Sequence, residues 1–201
     1  MRIYTRGGDR GKTTLIGRKR RFKSDARVEA YGSVDEAGAF LGLACSFLRP
    51  DEDADILDLL GGVQQRLWDV GADLAAPPDA GFTYRTPDTA AAELEPMIDK
   101  YQAEAGHLSQ FIIRGGDTAA AALHVACTVV RRAERRAVAL MQQEELHLPA
   151  LTYLNRLSDL LFVLARAVNA RRQLGDVVYE RSGEVFREPH AAPKADRKSD
   201  N

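Results

Sequence analysis

From about Ala26 onward, apolar residues return every three or four positions, the pattern of helices that bury one face. Ala39, Leu43 and Phe47 fall at spacing four, with Phe40 and Leu41 beside them, and predict a first helix from about Ala26 to near Pro50. A second runs from about Asp53 to Ala76, where Pro77-Pro78 stop it, and Gly61-Gly62 weakens its middle. Asp88 is placed to cap a third helix over about 88–104. The two clearest stripes follow. Ala119, Leu123, Ala126, Val130, Ala133, Ala137 and Leu140 form one; Leu151, Leu154, Leu157, Leu161, Leu164 and Val168 form the other. Val177-Val178-Tyr179 and Val185-Phe186 read as short extended pieces. Residues 1–25 stand apart as an extended or looped segment, rich in Gly, Thr, Lys and Arg and basic around Arg18 to Lys23. The stretch 187–201 is polar, with Pro189, Pro193 and mixed charges, and predicts a disordered tail. Helices joined by short loops over 26–186 predict an all-α, five-helix, up-and-down bundle on one core.

Composition narrows the classes. A chain of 201 residues that is 45% hydrophobic can fill one sizeable core. The formal net charge of −1 gives no global field that would draw it to nucleic acid or an acidic membrane. Cys45 and Cys127 cannot form a dense disulfide framework and have no metal-binding spacing, so a reduced, cytoplasmic setting is expected. The first residues lack the apolar stretch of a signal peptide. The longest apolar run, Leu157 to Val168, is broken by Asp159 and Arg166 and falls short of the ~20 residues of a membrane span.

Four places hold more polar chemistry than a bundle needs. Tyr4 to Thr14 combines Gly7, Gly8 and Gly11 with Thr5, Thr13, Thr14, Arg6 and Lys12. Glycines let backbone N–H groups approach an anion, and hydroxyls and cations add donors, so the segment reads either as a phosphate cradle or as a flexible basic arm. It is not a Walker A loop, because the glycine required five positions before Gly11 is missing and Arg6 stands there. Lys23, Ser24, Asp25, Arg27 and Glu29 read by themselves as a solvated charge run. His124, Thr128, Arg131, Glu134 and Arg135 share one side of a helix. A charged helix face is usually only solvated; against that, Arg131, Arg132, Arg135 and Arg136 crowd around Glu134, as an anion site or an ion-pair network would require. Asn155, Asp159, Phe162 and Arg166 recur at four, three and four, and a mid-helix Asn has a partner, whether a ligand or a neighbouring helix.

Taken together, these segments resemble the PduO-type cobalamin adenosyltransferases from Ile3 to about Phe186. Tyr4 to Thr13 match the family's opening Tyr-Thr-Lys/Arg-Thr-Gly-Asp-x-Gly-x-Thr except at Gly7. Arg27 to Glu36 look like its Arg-x-Glu-Ala-Tyr-Gly-Thr-x-Asp-Glu stretch, Arg131 to Arg135 keep Arg-Arg-Ala-Glu-Arg, and Tyr153 to Asp159 keep Tyr-Leu-Asn-Arg-Leu-Ser-Asp. The resemblance implies a homotrimer that binds ATP at subunit interfaces and transfers its 5′-deoxyadenosyl group to the cobalt of a reduced corrinoid. Thr5, Arg6, Gly7, Gly8, Thr13, Thr14 and Lys23 would hold ATP together with Arg131, Arg132, Glu134, Arg135 and Asn155. Phe111 would pack against the corrin and help displace the lower axial ligand, Mg²⁺ would accompany ATP, and a corrin reductase is the implied protein partner.

Several positions depart from the family pattern. Gly7 replaces a threonine, Arg114 a proline, and Ala37-Gly38 a Leu-Asn pair. Cys127 replaces an arginine that, in the family, pairs with the aspartate matched by Asp35 across a subunit interface. The alternative expectation is therefore a non-catalytic corrinoid- or ATP-binding relative acting as a carrier or regulator.

Overall fold

The computed structural model describes residues 2–183 and 185; Phe186 and the expected tail 187–201 lie outside the described residues. Five α-helices dominate: α1 (Ala26–Cys45), α2 (Ala54–Ala75), α3 (Glu95–Ala105), α4 (Thr118–Met141) and α5 (Leu148–Arg171). Two small antiparallel ladders decorate them, β1 (Lys12–Thr14) with β2 (Arg20–Phe22), and β3 (Ile112–Ile113) with β4 (Val177–Val178). α1 packs on both α2 and α4, α4 on α5, and α5 on α3. The all-α reading holds, while spatial order differs from chain order because α3 lies against α5 rather than α2.

Local chemistry explains the boundaries. The Asp25 side chain accepts from the Arg27 backbone N–H at 2.9 Å and caps α1; Asp117 does the same for α4 through the Ala119 N–H at 2.9 Å. α2 continues through Gly61-Gly62 because Ile56, Leu60, Val63 and Leu67 on either side are buried. The third helix corrects its sequence-based start. Asp88 lies in a turn, a single 3₁₀ turn covers Ala92–Leu94, and the α-helix begins at Glu95. Pro96 sits in the first turn, where its missing N–H leaves no bond unmade. The preceding loop is drawn inward by buried Asp73, which accepts from the Arg85 and Thr86 N–H groups at 2.9 Å each.

Two polar residues of the nearly buried α5 hold the chain around 105–117. Arg166 donates to the Gly106 carbonyl at 3.1 Å and pairs with Asp176 at 2.8 Å. Asn169 donates to the Gly115 carbonyl at 2.9 Å and accepts from the Asp117 N–H at 2.9 Å. Gly116 between them has φ +102°, and a Cβ there would run into the Asn169 carboxamide.

The charge run 23–29 also corrects its sequence reading, because Arg27 is fully buried. Its guanidinium donates to the Glu144 carboxylate from Nε (3.2 Å) and Nη2 (3.0 Å). It also donates to the carbonyls of Leu74 (2.9 Å), Ala76 (2.9 Å) and Glu145 (3.0 Å). All five N–H donors are used. Arg27→Leu should lower the urea-unfolding free energy by about 3–5 kcal/mol, since it strands buried acceptors and a carboxylate. Arg27→Lys should recover little of this, because one ammonium cannot span the fork. A loss below about 1 kcal/mol in either variant would contradict the clamp.

Candidate active site

The N-terminal segment is more ordered than a flexible arm. Its hairpin pairs Lys12 with Phe22 and Thr14 with Arg20, and the Lys23 N–H reaches the Gly11 carbonyl at 2.8 Å. Arg6 adopts φ +58°, Thr5 Oγ1 accepts from the Gly7 N–H at 3.4 Å, and Arg20 donates to the Gly7 carbonyl at 3.1 Å. At Gly8 an added Cβ would stand 3.2 Å from Lys23 Nζ, so Lys23 already lies over the glycine backbone. Thr5, Arg6, Gly7 and Thr14 are exposed, and Gly8 and Thr13 partly so.

On the bundle, Asn155 of α5 donates to Glu134 of α4 at 2.8 Å. The four arginines around Glu134 divide by task. Arg132 pairs with Glu36 and Arg136 with Glu29, both on α1, so these two fasten α4 to its neighbour. Arg131 and Arg135 are exposed and form no ion pair among the described residues. His124 does not stay on the exposed side with them. α5 covers that turn of α4, and the imidazole lies 3% exposed against Phe162, ring centroids 5.9 Å apart.

Arg131 opens onto a cavity of about 730 Å³ walled by α3, the segment 108–114, α4 and α5. Phe111, Arg114, Cys127 and Phe162 share its wall with Arg131, Asp159 and Arg166. Phe111 is 53% exposed, but its backbone is pinned by the Ser182 hydroxyl (3.1 Å) and the Tyr179 N–H (2.8 Å). The Cys127 thiol donates to the Ser158 carbonyl at 3.3 Å, and burial pushes its pKa up, so it stays a neutral thiol. Asp35 lies elsewhere, in a second cavity of about 610 Å³ between α1 and α2 with Tyr31, Trp68 and Arg85. Within one chain, Asp35 and Cys127 therefore sit in separate cavities. Nor does any hydrogen bond or ion pair among the described residues join the N-terminal segment to Arg131, Glu134 or Asn155. The expected nucleotide residues form two groups, one on the hairpin and one on α4–α5.

A five-helix bundle carrying a glycine-rich basic hairpin, the exposed Arg131 and Arg135 and an aromatic cavity has the parts of a nucleotide-dependent transferase. A sequence profile described as Cobalamin adenosyltransferase matches residues 3–168. The chain belongs to that family. It is 46% identical over 193 residues to a corrinoid adenosyltransferase of Bacillus subtilis, covering 96% of this chain and 99% of that one. It is 42% identical over 188 residues to one of Mycobacterium tuberculosis, covering 91% and 95%. Among solved structures it superposes with TM-score 0.89 on a PduO-type ATP:corrinoid adenosyltransferase variant from Lactobacillus reuteri complexed with cobalamin and ATP. That pair is 38% identical, with 92% of this chain and 100% of that one covered. A second variant of that protein, complexed with ATP, gives 0.82 at 40% identity, covering 88% and 99%.

The covered imidazole has a measurable consequence. Neither His124 nitrogen has a hydrogen-bond partner among the described residues, and burial followed by repulsion from Arg114 lowers its pKa from 6.5 to about 4. Arg166 opposes its charging as well, and Asp176 favours it. As pH falls from 6.5 to 4, the unfolded chain therefore takes up a proton that the folded chain refuses. The contribution of His124 to stability is complete above pH 6.5 and should fall by roughly 3 kcal/mol over that window. His124→Leu should flatten this part of the stability–pH curve measured by denaturation; an unchanged slope would contradict it.

Proposed function

We propose that the chain is an ATP:corrinoid adenosyltransferase that moves the 5′-deoxyadenosyl group of ATP to the cobalt of cob(I)alamin and releases triphosphate. The observation that carries this reading is the open Arg131 guanidinium on the wall of the cavity that holds Phe111, in a member of the cobalamin adenosyltransferase family.

The reaction asks little covalent chemistry of the protein. Cobalt(I) supplies the electron pair of the new Co–C5′ bond, and the C5′–O bond breaks with its electrons leaving on triphosphate. No protein nucleophile or general base is needed. The chain must align the two reactants and stabilise charge growing on the leaving oxygen. Arg131 supplies a fixed cation, and the Asn155–Glu134 bond fixes the polar group beside it. Thr5, Arg6, Gly7, Gly8, Thr13, Thr14 and Lys23 form the phosphate-wrapping half, with Lys23 already folded over Gly8. Arg135 adds a cation at the rim, whereas Arg132 acts through its pair with Glu36. Because these halves do not meet within one chain, a neighbouring copy in a homotrimer brings them together, with Asp35 at that interface. Mg²⁺ travels with the phosphates, and Glu134 is the carboxylate this site offers it. Phe111 and Phe162 give the corrin an apolar face, and Phe111 is the wedge against its lower ligand. The expected surroundings are the cytoplasm and a reductase that delivers the reduced corrinoid.

An anaerobic assay with cob(I)alamin and ATP, followed by the absorbance change of Co–C bond formation, tests the reading. Binding of both substrates without that change would establish the carrier or regulator alternative instead. Arg131→Ala should lower kcat by about 10²–10³-fold, the scale of one lost transition-state contact, with the unfolding midpoint unchanged. Near-normal turnover would remove Arg131 from its role. Mg-ATP should increase amide-exchange protection over residues 2–23, and equal protection with and without nucleotide would dismiss the wrapping role of the hairpin.

A further inference from the structure

Arg114 is an exposed cation on the cavity wall and differs from Arg156 and Arg166, which line the same cavity. Arg156 pairs with Glu95 and Asp159, and Arg166 pairs with Asp176. The Arg114 guanidinium forms no hydrogen bond or ion pair among the described residues, yet it lines the same cavity. Asp99 on α3 is likewise without an ion pair, and no bond joins it to Arg114. His124 and Cys127 are within its electrostatic reach, and Arg114 is the charged residue that acts most strongly on both. Both stay neutral, so neither compensates its charge. A lone arginine on an open wall is usually just solvated, but this one has a fixed root. Ile113, just before it, pairs with Val177, and Gly115 and Asp117, just after it, are held by Asn169. The backbone that carries this guanidinium is therefore held in place, and the guanidinium lines the cavity with Phe111 and Phe162.

A guest that satisfies this wall has a broad apolar face for the two phenylalanines and an anionic group at its rim. A triphosphate has no such face. Resting on the corrinoid reading of the cavity, we propose that Arg114 is a specificity-determining residue that reads negative charge on the corrinoid periphery. It takes a phosphodiester or a ring carboxylate in preference to a neutral amide, through a charge-assisted hydrogen bond.

The test compares wild type, Arg114→Ala and Arg114→Lys, all full-length, under anaerobic conditions. Three probes are used: cobalamin, which carries the phosphodiester; cobinamide, which lacks it; and a corrinoid with free ring carboxylates. Binding of each is followed by its own absorbance, and turnover at saturating ATP is followed in parallel. Arg114→Ala should weaken binding of an anionic corrinoid about tenfold, the size of one such contact. Cobinamide affinity and the KM for ATP should not change, and Arg114→Lys should restore most of the loss. Which anionic probe suffers identifies the group that is read. Equal weakening of all three corrinoids, a rise confined to the KM for ATP, or no change would each overturn the assignment. Binding without Co–C bond formation would defeat the transferase reading while leaving the Arg114 result to be judged on the binding data.

Discussion

The buried guanidinium of Arg27 is the constraint on which the rest of the molecule hangs. A charge with no solvent exposure is tolerated only when its donors are all met, and here they are met by the end of α2 and by the loop between α4 and α5. One side chain near the start of α1 therefore fixes three parts of the bundle together. Glu144 extends the lock outward, because its other oxygen holds Arg21 at 3.1 Å. Arg21 belongs to β2, so the hairpin inherits its placement from a residue in the interior.

The opposite region is built by a similar device. α5 is apolar almost throughout, but Arg166 and Asn169 reach out of it to hold backbone groups near either end of the segment 106–117. Phe111 and Arg114 lie on the stretch so bracketed. The cavity wall thus owes its shape to hydrogen bonds from the core outward, and the aromatic and cationic side chains it presents are mounted on a stiff base.

Much of this was legible in the sequence, for identifiable reasons. α2, α4 and α5 bury continuous stripes, and a stripe is a local signal. The presence of α1 was legible too, but not its face: Ala39, Leu43 and Phe47 are exposed, and the helix buries Ala30, Val34, Ala37, Leu41 and Ala44 instead, because α2 and α4 pack on that side. The start of α3 was not legible, because Asp88 looks like a cap while Pro96 and the pull of Asp73 on the preceding loop decide where the helix begins. The four arginines of α4 looked alike because their sorting depends on Glu29 and Glu36, a whole bundle away in sequence. Arg27 was misread for the same reason: its carboxylate partner lies 117 residues further along. The motifs of the site could be recognised by residue type and order, whereas the separation of hairpin and α4–α5 residues within one chain is a matter of packing.

The contact between Gly116 and Asn169 limits how this protein can change over evolutionary time. With φ +102° and the carboxamide filling the space of a Cβ, position 116 admits no side chain while Asn169 is present. Loss of Asn169 alone would open that space but strand the Gly115 carbonyl and the Asp117 amide that it serves. Each residue thus blocks the replacement of the other, and a lineage leaves the pair only by passing through a poorer fold or by changing both at once. The loop above is free to try new side chains at 111 and 114, while the hinge that presents them stays frozen.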